Sequence, residues 1–172
     1  MALILRLEQV FHNLNIRGKC MQIRAFQESD KDFIVSLALR FMDFELMSWR
    51  DPVKMEESQL SLAQESVDSL SPGTEIFVAE DETGELLGFL EVQPHKDKLN
   101  DIEQGYIVAI AVSPQGEGKG VGKGLMTKAE EWSRQKGYRQ LILNVFNNNL
   151  RAVNFYKHLN YEIEVVKMVK EL

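Results

Sequence analysis

Five glycines alternate from Gly116 to Gly124 in the run Gln115-Gly-Glu-Gly-Lys-Gly-Val-Gly-Lys-Gly-Leu125. Glycine disfavours helix by roughly 1 kcal/mol per residue relative to alanine, yet this run leads straight into a helical pattern. A sequence tolerates that cost where the backbone must come close to something. Amide N–H groups that open a helix make a site for an anion, usually a phosphate. Lys119 and Lys123 add positive charge there, in a chain whose formal charge is −6. The plain alternative is a flexible turn with solvated lysines.

Spacing narrows the choice of phosphate ligand. A P-loop needs G-x-x-x-x-G-K-[ST], but Gly122-Lys123 is followed by Gly124 and the earlier glycine position holds Glu117. A dinucleotide fingerprint needs G-x-G-x-x-G, and from 116, 118, 120 or 122 the sixth residue is Val121, Lys123, Leu125 or Thr127. Both nucleotide motifs fail.

Other side chains able to do chemistry are scattered. Tyr156 offers a hydroxyl, although Val153, Tyr156 and Leu159 also read as an apolar helix stripe belonging to the core. Glu91 and Glu103 are candidate proton acceptors, although each reads first as a surface carboxylate. Phe41, Phe44, Met47, Trp49 and Arg50 cluster before Asp51-Pro52 and could line a pocket or simply fill the core.

The elements that must position these residues alternate between strand and helix. Met21–Phe26 alternates as a strand does, and Ser29 or Asp30 then caps a helix to about Met42 with Phe33, Ile34, Leu37 and Phe41 on one side. A more polar helix runs through Leu60 and Val67 to Ser71-Pro72-Gly73. Thr74–Ala79 and Leu86–Val92 form a hairpin across Asp81–Gly84, and a polar loop spans His95–Gln104. Tyr106–Val112 is apolar on both faces, which fits a central strand covered on both sides. After the glycines come a helix to about Lys136, a strand Arg139–Val145, a helix Asn149–Leu159 and a final strand within Tyr161–Val169. Strands interleaved with helices give an α/β (α+β) class.

Composition bounds the rest. The 172 residues suit one domain, and 44% apolar with 27% charged residues excludes disorder as the main state. The longest apolar run, Tyr106–Val112, is far below the ~18 residues of a membrane span. One cysteine, Cys20, allows no internal disulfide, no Cys/His cluster offers a metal site, and Arg6 and Glu8 break any signal-peptide core. A reducing, cytoplasmic setting is therefore expected, with no membrane partner. Acidic residues outnumber basic ones 26 to 20, which argues against a nucleic-acid coat. Met1–Cys20 stands apart with a net charge of +2. It is either a helical extension using Leu3, Leu7, Val10 and Leu14, or a misassigned start upstream of Met21. The expected organisation is thus an extension over 1–20 and one domain over 21–172.

Two motifs carry a family resemblance. Ala111-Val-Ser-Pro followed by Gly118-Lys-Gly-Val-Gly122 resembles the acyl-CoA-binding [RQ]-x-x-G-x-G/A motif of the GCN5-related N-acetyltransferase (GNAT) superfamily. Asn149-Leu-Arg-Ala152-Val-Asn-Phe-Tyr156, ending in Asn160-Tyr161, is similar to the family's strand–N-x-x-A-x-x-x-Y–helix–G-[FY] block. Two departures stand out. Glu117 occupies the family's Arg or Gln position and cannot donate to phosphate, and Asn160 replaces a helix-ending glycine, a mild change because Asn tolerates the left-handed conformation.

The resemblance implies an acyl-CoA N-acyltransferase fold: a mixed sheet of about six to seven strands, two of them splayed, flanked by about four helices. It implies acetyl-CoA as cofactor and transfer to a small-molecule or peptide amine, with a homodimer left open. The pantetheine would pair with Ile110, Ala111 and Val112, and the pyrophosphate would lie on Gly118, Lys119, Gly120, Val121, Gly122 and Lys123. Asn149 would bind the pantetheine arm, and Arg151 would either reach the 3′-phosphate or stay solvated. Tyr156 would protonate the leaving thiolate. The glutamate that many relatives carry on the strand before the glycine turn falls here on Val108 or Ala109, so the base is left to Glu91, Glu103 or a water chain, unless the acceptor arrives already neutral. Phe41, Phe44, Trp49 and Arg50 would line the acceptor pocket. The closing segment Tyr161–Val169 has no Gly, Pro or Asn to turn on and is expected to cross directly, leaving that side open.

Overall fold

The computed structural model describes the main chain of residues 13–16 and 19–172, with side chains from residue 21 onward. The expected helix through Leu3, Leu7 and Val10 lies outside these residues, and Leu14 sits on a strand instead. Six strands form one sheet in sequence order: β1 (Asn13–Ile16), β2 (Lys19–Ala25), β3 (Glu75–Asp81), β4 (Leu86–Lys96), β5 (Glu103–Val112) and β6 (Leu141–Leu143). The first five are antiparallel and β6 runs parallel to β5, so the sheet is mixed. The helices are α1 (Lys31–Ser36), α2 (Pro52–Asp68), α3 (Val121–Gln135) and α4 (Leu150–His158).

Strand alternation sends Leu90, Val92 and Ile107 to one face, where Leu125, Met126, Ala129 and Trp132 of α3 complete a core. Phe77, Ala79 and Leu87 join them. On the other face Val78, Phe89 and Ala111 pack with Ile34 and Leu37 of the first helical segment and Val67 of α2. Arg24 anchors that segment from the sheet, bonding the buried Asp30 carboxylate through both terminal nitrogens at 2.7 and 2.9 Å. No helix among the described residues is long and apolar enough to cross a membrane.

Several elements differ from the sequence-based expectation. The first helix stops at Ser36 and continues as a 3-10 turn over Ala38–Met42, with Arg40 N–H donating to the Leu37 carbonyl. That tightening accompanies an edge-on contact between Phe41 and Phe89 and an ion pair between Arg40 and Asp43. The loop expected from His95 to Gln104 is shorter at both ends, residues 97–102, because β4 runs to Lys96 and β5 resumes at Glu103. Strand β6 is three residues long rather than seven, and residues 161–172 form no strand. A ladder needs a neighbour, and β6 has one only as far as Leu143.

The feature that shapes the molecule is a bulge in β5. Glu91 pairs with Ala109 and Val92 with Ile107, so Val108 is the extra residue. A bulge bends its strand and increases its twist. The last β5–β6 pair is Ile107 with Leu143, next to the bulge, and beyond it the two parallel strands separate.

Candidate active site

The separation of β5 from β6 leaves one strand edge open. Ser113 N–H donates to the Leu87 carbonyl at 2.9 Å, so Ser113 faces β4. By strand alternation Ala111 faces β4 as well, while Ile110 and Val112 turn their N–H and C=O groups toward the gap. Ile110 and Val112 are half-buried, and main-chain polar groups at such an edge call for hydrogen-bond partners.

At the end of β5 the chain makes the glycine turn. Ser113 caps a 3-10 turn at Pro114–Gly116, its Oγ accepting from Gly116 N–H at 3.2 Å. Gly118 and Gly120 then adopt φ of 70° and 77°, a left-handed conformation that most side chains disfavour. Gly120 is the N-cap residue of α3 and brings no side chain to cap it. The first intrahelical bond is Gly124 N–H to the Gly120 carbonyl at 3.0 Å. The amides of Val121, Gly122 and Lys123 therefore open the helix without intrahelical partners. Space beside Gly118 is empty, since a Cβ there would meet nothing within 4 Å. Free amides, open space and two nearby lysines suit a phosphate.

Glu117 is held away from that role by two cations. Its Oε1 pairs with Arg40 from the 3-10 turn and with Arg151 of α4 at 3.2 Å. Burial works to raise its pKa, but Arg151 and Arg40 outweigh it and hold the carboxyl below its ordinary value. Arg151 itself is largely exposed.

A cleft of about 610 Å³ lies between α2, the splayed strands and α4. Glu91, Ser66, Phe41, Phe44, Asn149 and Tyr156 all line it. Glu91 is only 7% exposed, not the surface carboxylate that its sequence context favoured. Burial pushes its carboxyl above the ordinary value, and the Ser66 hydroxyl, donating to Oε2 at 2.6 Å, pulls part-way back. Tyr156 is half-buried, and burial raises its hydroxyl to about 12, so it keeps its proton at neutral pH. It also packs on the core beside Phe155 and Tyr161, so the core and cleft readings of its stripe both hold. Asn149 caps α4, its Oδ1 accepting from Ala152 N–H at 3.1 Å. Its Nδ2 group is left to donate.

The structure separates the remaining candidates. Glu103 is exposed at the opposite end of β5, paired in register with Lys96, and takes no part in the cleft. Trp49 is 43% exposed and off the cleft wall. Arg50 lies over the Phe146 ring at 5.6 Å, and Phe146, not Arg50, meets the cavity, packed on Phe44 at 5.5 Å. Among described residues no cluster of His, Cys, Asp and Glu could hold a metal ion. Sequence reasoning missed Ser66 and Arg40. Ser66 was findable: Gln59, Leu62, Ala63, Ser66 and Leu70 recur at helical spacing, and all line the cleft. Arg40 carries no local signal, because its partner Glu117 lies 77 residues away.

Comparison with known proteins shows what the chain is similar to. The family model described as acetyltransferase (GNAT) family matches residues 38–161. An aminoglycoside N(6')-acetyltransferase type 1 of Stenotrophomonas maltophilia is 36% identical over 90 residues, covering 51% of this chain and 59% of its own length. A mycothiol acetyltransferase of Propionibacterium freudenreichii subsp. shermanii is 27% identical over 146 residues, 83% of this chain and 43% of that protein. The chain spans 25% to 59% of the length of the curated relatives it matches. Among solved structures, a Pyrococcus furiosus protein assigned as an acetyl transferase superposes with a TM-score of 0.71 at 26% identity, covering 88% of this chain and 99% of its own.

Proposed function

Since this chain belongs to the acetyltransferase (GNAT) family, we propose that it is an N-acetyltransferase, moving an acetyl group from acetyl-CoA to a primary amine by direct attack in a ternary complex. The observation that carries this reading is the cleft itself: a buried carboxylate and a protonated tyrosine line one cavity whose wall includes the open edge of β5.

When bound, acetyl-CoA supplies an activated thioester together with phosphates by which it is held. The residues present fit it. The amides of Val121, Gly122 and Lys123 would hold its pyrophosphate, with Lys119 and Lys123 adding charge. Ile110 and Val112 would bond its extended arm through the main chain, and Asn149 Nδ2 would donate to it. Glu117 takes no direct part and instead holds Arg40 and Arg151 beside the turn.

Two protons must move. A lysine-type amine, with a pKa near 10.4, arrives mostly protonated and must lose a proton before it can attack. Glu91 Oε1 is the acceptor the cleft offers, while Oε2 stays bonded to Ser66. Its carboxyl, pushed up by burial, is a stronger base than an exposed carboxylate. Tyr156 Oη holds the second proton on the cleft wall, where it would be available to a leaving thiolate. Phe41 and Phe44 pack the acceptor's apolar parts. Glu65, Ser66, Ser69 and Gln93 offer a cationic acceptor hydrogen bonds and negative charge. The named activity of the aminoglycoside relative supports a polar amine of this class.

The test is a panel of amines (aminoglycosides, polyamines and peptide N-termini) offered with acetyl-CoA, reading free thiol and acetylated product by mass spectrometry. Acceptor-dependent release of thiol is the expected result. Normal CoA binding without acceptor-dependent turnover on any amine would favour a non-catalytic acyl-CoA-binding module.

A further inference from the structure

Three elements that build the cleft meet at a carboxylate oxygen. Glu117 Oε1, in the glycine turn, pairs with Arg40 Nη2 and, at 3.2 Å, with Arg151 Nη2. Arg40 belongs to the 3-10 turn Ala38–Met42 beside Phe41, and both line the cleft with Phe44. Arg151 lies in the first turn of α4, the helix that brings Asn149 and Tyr156 to the same cleft.

The glycine turn is the fixed member. Gly116 is pressed on the sheet: a Cβ there would stand 2.5 Å from the Leu87 carbonyl oxygen and 2.9 Å from Val112 Cγ1. Glu117 follows it in extended conformation, with φ of −62° and ψ of 143°, so its carboxylate is presented from a seated backbone. The 3-10 turn is tied to that seat through Arg40. Side chains three apart in a 3-10 turn eclipse one another, and Arg40 and Asp43 are such a pair. Arg40 therefore spans from Asp43 to Glu117, and the contacts that orient its guanidinium also support the turn behind Phe41.

The two arginines are held unequally. Arg40 is 27% exposed and bonds two carboxylates, Asp43 through Nη1 and Glu117 through Nη2. Arg151 is 73% exposed and makes the longer contact, and exposed pairs of that kind are weak. Arg151 also stands next to the phosphate end of the site. Phe155, four residues on and on the same side of α4, lies 3.4 Å from where a Gly122 Cβ would be. Gly122 is in the opening turn of α3, among the free amides. A phosphate there offers a guanidinium a two-pronged, charge-assisted bond, against a single contact to Glu117.

We propose that Glu117 is a positioning residue for the acceptor wall. When a phosphate ligand fills the glycine turn, Arg151 turns from Glu117 to the phosphate. Glu117, left to Arg40 alone, then holds the 3-10 turn and its Phe41 and Phe44 in one place. The inference rests on the acetyl-CoA reading above and adds to it a link between the two halves of the site. It also gives a reason for a carboxylate at position 117, since an arginine there would repel Arg40 and release the turn.

Coenzyme A is the probe and hydrogen exchange the readout. The amides of Arg40, Asp43 and Phe44 are bonded to nearby carbonyls at 3.0, 3.3 and 2.8 Å, so their exchange reports on the turn. In the wild-type protein, saturating coenzyme A should slow them by about fivefold or more. In Glu117→Gln, which keeps the size but not the charge, they should be fast and stay fast when calorimetry shows the turn occupied. Arg151→Gln should do the reverse: Glu117 already belongs to Arg40, so these amides should be slow before coenzyme A is added and change little after. Should Glu117→Gln fail to fold or to bind, Arg151→Gln gives the answer. Equal slowing in wild type and Glu117→Gln, or Arg151→Gln amides that behave as in wild type, overturns the proposal. Binding to the wild-type protein with no change at the three amides overturns it too and leaves the cofactor reading standing, whereas no binding to the wild-type protein overturns both.

Discussion

Replacing Ser66 by alanine isolates how the cleft tunes its base. The hydroxyl donates to Glu91 Oε2 at 2.6 Å, and Glu91 is otherwise buried, so this bond selectively stabilises the ionised carboxylate. A hydrogen bond to a charged group contributes about 1.5–3 kcal/mol. At about 1.4 kcal/mol per pH unit, its loss should raise the Glu91 pKa by about one to two units. The acid limb of kcat/KM against pH should move upward by that amount, while the rate above the limb changes little. Stability gives an independent reading. The folded pKa of Glu91 already lies above its unfolded value, because burial disfavours the charge. The cost of ionising it is absent below the unfolded pKa and is fully present once pH has risen past the folded pKa. Ser66→Ala should therefore lose about 1–3 kcal/mol of unfolding free energy at neutral pH and little at pH values below the ordinary carboxylate range. The assays are a steady-state pH profile and urea unfolding at the two pH values. An acid limb that stays in place in Ser66→Ala, with Glu91→Gln retaining normal turnover, would refute the assignment of Glu91 as base.

Two further outcomes test the other halves of the site. Tyr156→Phe keeps the ring and its packing but removes the proton, so single-turnover acyl transfer should slow by roughly 10²–10⁴ with acetyl-CoA affinity near wild type; an unchanged single turnover removes Tyr156 from the mechanism. Gly120→Val forces a β-branched residue into φ of 77° at the mouth of α3, so calorimetry should detect no CoA binding, whereas Lys119→Ala and Lys123→Ala should weaken binding mainly at low salt.

What the sequence determined by itself is local. Glycines at 118 and 120 are needed wherever the chain turns left-handed into a helix, and Asn149 caps the helix that begins beside it. Asn160 ends that helix in the left-handed conformation that an asparagine tolerates. Such constraints act within a few residues, so composition and spacing expose them, together with the α/β layering and most strands. Which carboxylate is buried, which side chains line the cleft and how residues 161–172 run were decided by tertiary structure. Glu91 and Glu103 look alike in sequence; a bulge at Val108 and the packing of α2 bury one against Ser66, while the other stays at the exposed end of the same sheet. Arg40 meets Glu117 only because the 3-10 turn is carried over the glycine turn. Strand β6 and residues 161–172 carry strand-like sequences, but β-structure requires a partner across a ladder, and no pattern within one segment supplies it.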